Sequence, residues 1–569
     1  GVLVPFVEVD GVRQPFTDVG WSREQSWLPR MTARCGGGEV ELSYCAPVGE
    51  RGVVCRLVFR RGGGRSSDVV VGWRVRWLET ALVQLRSKPL DVDLRFDSDP
   101  WTGSHLVHAT AGLPLLALGF QAGSGTEVVF EDLTYVVSTT PEGRSASELT
   151  AELFVAIAPE RDGAATTALH LRRRGFDDLW GGTVAWLGAH ELPVEAMDAR
   201  EGLHRRVNEN AFFNFFFSQG DCLDTGRPTI VTSRSSDYYV SAAFWSRDAY
   251  QWTFPALLLT DPVRARETLV SSLESAGPRV ADHALYLNGT SLYPGFELDQ
   301  AAAPVLALHL YVTSTGDTGV LEEPAVRRLC DGFVAMIAPW RNAALGLYAT
   351  FLLPTDDPTR HPYTTTDNAL VRAALDALGH LAAMRDADTP DAAGLATLST
   401  ELGQAIIDRL VTQGPHGAMW AWGCDEHGSH IVKDEPPLSL ASLPFWGLCD
   451  PHDPHQRATE HWLDADNPYR YEGAFPGTGS PHFPYPSGFD LASRLLMPHR
   501  DGDPLAELVA TPMDHGLGCE SWDPGSGVVT TGAAMASMAG LLTWTAWSRI
   551  IGRTLWHQPI SLPARGSDV

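Results

Sequence analysis

The chain has 569 residues, 44% hydrophobic and 20% charged, which is a globular composition too long for one ordinary domain. A net charge of -26 argues against a nucleic-acid partner, whose phosphates demand clustered cations, and makes an anionic membrane or polymer a poor partner too. No run reaches the roughly 18–20 uninterrupted apolar residues of a membrane span. No signal peptide is visible, which carries no weight in a sequence that starts at Gly rather than Met; a cytoplasmic protein is the expectation, with a mature secreted form as the alternative. Eight cysteines occur without a CxxC pair, against zinc-ribbon or thioredoxin chemistry. Buried thiols are expected, with a disulfide among Cys35, Cys45 and Cys55 as the alternative.

The first third alternates with period two, at 52–59, 68–77, 90–96 and 127–137. Its β-branched runs are punctuated by Gly-, Ser- and Asp-rich turns. Residues 1–165 are therefore expected to form an antiparallel β-sandwich. Residues 166–197 are charged and irregular and read as a linker. From 198 the periodicity becomes helical, with helices expected at 199–217, 248–259, 261–275, 301–315, 322–340, 367–385, 395–411, 439–448 and 532–551. The connectors leave room for about three more. Twelve helices over some 355 residues, about 30 residues per helix and loop, suit an (α/α)6 barrel at 198–555, followed by a tail at 556–569. No fixed-period repeat supports a solenoid. The fold class is thus α+β multidomain, a sandwich followed by an (α/α)6 barrel.

Two acidic loops stand out. DHGLGCESWD at 514–523 places Glu520 in a Gly-rich loop before the last long apolar helix. PTDDP at 354–358 places Asp356 and Asp357 before another. Carboxylates on separate loops at one end of a helical barrel are what inverting glycoside hydrolysis needs. Taken alone, Asp-Asp-Pro is an ordinary turn with a helix cap. Eighteen Trp, 13 Tyr and 22 Phe are compatible with a sugar ligand but serve a core equally well. DPHDPH at 450–455 invites a metal reading, yet two prolines in a polar loop more often mark a turn. No HExxH, calcium loop, Walker loop or dinucleotide fingerprint occurs, so neither metal nor cofactor is expected.

Read in order, the loop motifs resemble the metal-independent α-mannosidases of glycoside hydrolase family 125. They are AFWSRD (243–248), FELD with Pro304 following (296–299), TDDPTRHPYTTTDN (355–368), AWGCDEHGSH…DEPPLSLASLPFWG (421–447), GSPH (479–482) and GCESWD (518–523). The resemblance implies an inverting, exo-acting α-glycosidase that needs no metal. It implies Glu520 as general base and Asp356 or Asp357 as general acid. The acid must hold a proton near neutral pH, and a neighbouring carboxylate would help it do so. Arg247 and Asp248 would contact sugar hydroxyls, against the alternative of a helix-capping ion pair. Glu297 and Asp299 fit sugar contact or helix capping equally. Asn368, Asp434, Glu435 and His482 are further candidates to wall the pocket, and Trp245 and Trp522 to stack on a ring, with core or surface duty as the plain alternative. His515 is a supporting candidate.

The chain departs from the family pattern too. A Trp-Glu-Arg-Lys stretch usual before the Tyr-Glu-Leu-Asp motif is replaced by SLYPG at 291–295, losing a cationic contact. Met-His-Glu has become Gly518-Cys519-Glu520. These changes keep the acid and base but alter pocket walls. The leading expectation is an α-mannosidase acting on an oligosaccharide or glycoside. The alternatives are a related inverting enzyme for glucosyl or pentofuranosyl units, a sugar phosphorylase, and an inactive carbohydrate-binding barrel.

Overall fold

The computed structural model describes residues 2–62, 68–76, 81–83, 87–89, 91–111, 113–131, 134–139, 147–222, 225–240, 243–385 and 391–563. Trp77, Leu90, residues 132–133 and the tail's last six positions, all within expected elements, lie outside them. The chain divides into two compact units, the boundary falling between Glu191 and Leu192.

The first unit holds the expected sandwich. A five-stranded antiparallel sheet runs in the order Glu127–Glu131, Thr134–Thr139, Val69–Arg76, Val2–Val9, Val12–Arg13. An eight-stranded one runs Asp93–Ser98, His105–Ala111, Leu113–Ala122, Glu148–Ala158, Gly52–Arg61, Gly38–Cys45, Leu28–Cys35, Thr17–Glu24. Alternation aims Val71, Trp73, Tyr135 and Val137 of the first sheet at Cys55, Leu57, Phe59, Phe120 and Leu153 of the second. The Trp73 indole N–H, buried between the sheets, donates to the Ala151 carbonyl at 3.0 Å. Cys35, Cys45 and Cys55 are buried free thiols, so the disulfide alternative does not hold.

The expected irregular linker is instead two helices, Arg161–Arg174 and Phe176–His190. Glu160 caps the first by accepting from the Asp162 and Gly163 amides. Asp162 at its start and Arg172–Arg174 at its end complement the helix dipole. A narrow stripe of Ala164, Ala165, Ala168 and Leu171 is buried on an otherwise polar helix, which is why average polarity hid it. Gly175, at φ 81, separates the two helices.

The second unit is an (α/α)6 barrel, with eleven α-helices among the described residues. Leu298–Thr315, Thr365–Arg385 and Ala536–Ile550 are buried on nearly every side along most of their length, as inner helices must be. Loops that enter these three helices carry most of the acidic motifs. The expected 248–259 helix begins as a π-helical turn, Asp248–Thr253, before Phe254–Thr260. The expected 439–448 helix is only a 3-10 turn at Leu440–Ser442, because Pro437 and Pro444 bracket a segment too short to propagate. Three helices lie in the connectors, Pro454–Ala465, Gly488–Leu495 and Pro504–Ala510. Asp453, Ser487 and Asp503 cap them. No helix among the described residues is long and apolar enough to cross a membrane.

Candidate active site

Glu520, from the loop before Ala536–Ile550, opens into a pocket that Tyr238, Tyr239, Trp245, Arg247, Asp248 and Asp356 also line. Oε1 of Glu520 accepts two phenolic protons, from Tyr239 at 2.8 Å and from Tyr238 at 3.3 Å. Burial raises the Glu520 pKa above the ordinary carboxylate value, while the Tyr239 and Tyr238 hydroxyls and His482 pull it back by favouring the anion. Gly532 supports the carboxylate from behind. Its φ is +62, and a Cβ there would lie 2.3 Å from Glu520 Cγ. Both tyrosines act on one oxygen, and Oε2 has no protein donor among the described residues.

Asp356 occupies the tip of a tight loop. Its own amide donates to the Leu353 carbonyl at 2.8 Å, and Leu353 N–H donates to Asp357 O at 2.9 Å. The reversal needs φ +64 at Asp356, a left-handed conformation that Asp tolerates better than most residues. Asp356 Oδ1 accepts from Arg247 Nη2 at 2.8 Å and lines the pocket. Asp357 turns instead toward His482, whose Nδ1 is 3.3 Å from its Oδ1. The two adjacent carboxylates, which the sequence leaves equivalent, therefore have different surroundings.

Arg247 is the electrostatic hub. It is buried, and Nη1 donates to Asp299 Oδ2 at 2.9 Å and to Glu297 Oε2 at 3.5 Å. Burial opposes its charge, but Asp299, Asp356, Glu297 and Asp248 together hold its pKa well above the usual value. Gln300 Oε1 accepts the Arg247 amide at 2.7 Å, fixing the backbone as well. Glu297 also accepts from His283 Nδ1 at 2.6 Å. Burial pushes Asp248 up to about 7 despite the pull of Arg247. Burial, reinforced by Asp299, also raises the Asp367 pKa well above a normal carboxyl. One guanidinium thus faces four carboxyls, Asp248, Glu297, Asp299 and Asp356, and burial raises the pKa of Asp248 and of Glu297 among them.

The remaining candidates separate clearly. Trp245 lines the pocket, and its buried indole N–H has no protein partner among the described residues, so it offers a donor. His482 lines the pocket wall. Glu297 and Asp299 are fully buried behind Arg247 and act through it. Asn368 braces the fold: its Oδ1 accepts Tyr348 N–H at 2.8 Å and its Nδ2 donates to the Tyr348 and Thr364 carbonyls. Asp434 caps the Leu440–Ser442 turn through Leu440 N–H and Ser439 Oγ, and burial pushes it up to about 7. Glu435 pairs with Lys433 at 2.6 Å. Trp522 is a core residue whose indole donates to Phe475 O at 3.2 Å. Asn368, Asp434 and Trp522 do not line this pocket, and each is held by the structural partners just named. A buried amide, a capping carboxylate and a core indole look the same in sequence as ones that face a ligand.

Sequence reasoning missed Tyr238, Tyr239, His283 and Gly532. The adjacent tyrosines at 238–239 form no motif with Glu520, some 280 residues away, and only the closed barrel joins them. DPHDPH behaves as a turn and cap, with Asp450 and Asp453 accepting the His452 and His455 amides. His283, Glu297 and Asp356 offer metal-ligand atoms within 4.8 Å of one another. A cation there would have to break the His283–Glu297 bond and sit beside the Arg247 guanidinium, so the donor set fits an ion poorly.

The family described as metal-independent alpha-mannosidase (GH125) matches residues 332–503. The family-125 resemblance is borne out. That span carries Asp356, Asp357, Asn368, Asp434, Glu435 and His482. A metal-independent alpha mannosidase structure from Streptococcus pneumoniae, a non-productive complex with alpha-1,6-mannobiose, superposes with a TM-score of 0.55 at 18% identity, covering 63% of this chain and 97% of that one. A bacterial glucoamylase complexed with acarbose gives 0.67 at 12%, covering 98% and 89%. A putative kojibiose phosphorylase from human microbiome gives 0.58 at 11%, covering 96% and 78%. At such identities these likenesses concern the fold. No curated protein matches the chain.

Proposed function

We propose that this protein is an inverting, exo-acting α-glycoside hydrolase, with α-mannosides as the leading substrates. One observation carries the reading: Glu520 and Asp356, from loops far apart in the chain, open into one pocket together with the sugar-contacting candidates Trp245, Arg247 and Asp248. In single displacement, Glu520 accepts a proton from a water attacking the anomeric carbon. Asp356 gives its proton to the departing glycosidic oxygen. Both tyrosine protons point at Glu520 Oε1, which leaves Oε2 to take the water's proton. Asp356 is assigned as the acid over Asp357 because it lines the pocket, while Asp357 is engaged with His482. Arg247 positions Asp356 and neutralises part of the buried charge.

The mannose assignment rests on the family-125 segment and belongs to the same proposal. The test is release of sugar from α-linked mannosides and glucosides by wild type, beside Glu520→Gln, Asp356→Asn and Asp357→Asn. Loss of turnover by roughly a hundredfold to ten-thousandfold in the first two, with Asp357→Asn less affected, supports the assignment. Phosphate-dependent turnover would replace hydrolysis with phosphorolysis. In that case Glu520 would not be required as a base.

A further inference from the structure

We propose that Tyr293 and Phe351 form the platform for the sugar on the leaving-group side of the scissile bond; this rests on the glycosidase reading above. Both belong to the barrel unit, and Tyr293 sits in the SLYPG stretch at 291–295, where the chain departs from the family-125 pattern. That stretch forms most of the strand Ser291–Phe296, which pairs with Asp282–Tyr286, with Tyr293 opposite Ala284. The neighbour of Ala284 is His283, whose ring lies 5.8 Å from the Tyr293 ring and whose Nδ1 is 3.8 Å from Asp356 Oδ1. Tyr293 is therefore one side chain removed from the proposed acid.

Phe351 reaches the same place by another route. Its amide donates to the Phe296 carbonyl at 2.9 Å, fastening the head of the Asp356 loop to the end of that strand. Its ring lies over Gly295: a Cβ on that glycine would stand 2.6 Å from Phe351 Cδ1, and the φ of +154 is one that only glycine holds easily. The glycine thus makes room for the ring. Yet Phe351 remains 53% exposed and Tyr293 44% exposed. The Phe351 ring is thus seated by a backbone hydrogen bond and a glycine contact, the Tyr293 ring lies beside His283, and both rings stay exposed.

The chemistry of the surface selects the occupant. Aromatic faces take the C–H face of a pyranose ring, and the absence of a cation in 291–295 suits a neutral leaving group. A leaving sugar bound there would have its glycosidic oxygen beside Asp356. The platform therefore favours substrates whose leaving group is itself a sugar.

The experiment compares α-1,6-mannobiose, which carries a leaving sugar, with α-mannosyl fluoride, which carries none. Phe351→Ala and Tyr293→Ala should each lower kcat/KM on the disaccharide by about tenfold, a difference of roughly 1.4 kcal/mol. They should leave the fluoride unchanged, and Tyr293→Phe should restore the disaccharide rate. Equal losses on both substrates, or no loss on either, would overturn the platform. Should wild type turn over neither substrate, the mannosidase reading fails, and the platform is then read by calorimetry. Mannobiose and mannose are titrated into Glu520→Gln and into Glu520→Gln/Phe351→Ala. About tenfold weaker mannobiose binding with mannose unaffected would uphold the platform. Unchanged or equally weakened binding, or no binding of either sugar, would overturn it.

Discussion

Replacing Tyr239 with Phe removes the shorter of the two hydrogen bonds to Glu520 Oε1, at 2.8 Å, and leaves the ring in place. A hydrogen bond to a charged group contributes about 1.5–3 kcal/mol, and 1.36 kcal/mol corresponds to one pKa unit, so the full effect is about 1–2 units. Tyr239 is 47% exposed, so water partly replaces the lost donor and the low end, about one unit, is expected. The sign follows from the chemistry. The hydroxyl favours the carboxylate anion, so its loss raises a pKa that burial has already raised. A general base works ionised, so the acidic limb of kcat/KM against pH should move up by about one unit. Tyr238→Phe, losing a bond of 3.3 Å, should move it less. The assay is a pH–rate profile on one α-glycoside for wild type and both variants. An acidic limb that stays fixed or moves down in Tyr239→Phe would refute the role given to Glu520, whatever happens to the plateau.

Asp356→Asn should lose roughly a hundredfold to ten-thousandfold on a disaccharide but far less on a glycosyl fluoride, whose leaving group needs little protonation; parallel kinetics on the two substrates check this. Gly532→Ala should keep the fold and lower kcat/KM by about a hundredfold, since its Cβ would meet Glu520 Cγ at 2.3 Å and displace the carboxylate, with thermal melting as the control. Arg247→Met should destabilise the protein by about 3–5 kcal/mol, because Asp299 is left buried without its counter-charge and Glu297 keeps only His283; urea unfolding measures it. Stability should fall as pH rises from about 4 through 7. Folded Asp248 and Asp434 hold their protons to about 7, whereas the unfolded chain releases them near 3.9. The melting temperature should decline across that window, and Asp248→Asn with Asp434→Asn should flatten the decline.

Local chemistry made much of this molecule legible in its sequence. Period-two runs marked the sandwich strands, and a succession of amphipathic or wholly apolar helical segments from 198 onward marked the barrel. Glu520 and the Asp356–Asp357 pair were legible because both sit in short polar loops before apolar helices. Residues whose meaning depends on distant partners were not legible. Tyr239 acquires its role only where the barrel closes it against Glu520, and Asn368 turns out to hold Tyr348 in place. The Arg161–Arg174 helix escaped notice because its buried stripe is one alanine-rich edge on a charged surface. The 439–448 segment failed in the opposite sense: its apolar spacing is helical, but its prolines allow only one 3-10 turn. Asp356 and Asp357 take different partners, Arg247 and His482, each more than 100 residues away, so no local pattern separates the two carboxylates.

The central claim is single displacement at one anomeric centre, with Glu520 activating water opposite the leaving group. The most direct measurement is proton NMR of the first-formed sugar during hydrolysis of an α-linked disaccharide, recorded before mutarotation. The account predicts the β-anomer first, in wild type only, with Glu520→Gln giving no burst of either form. An α-anomer formed first would contradict it, as would β-anomer release that is indifferent to Glu520.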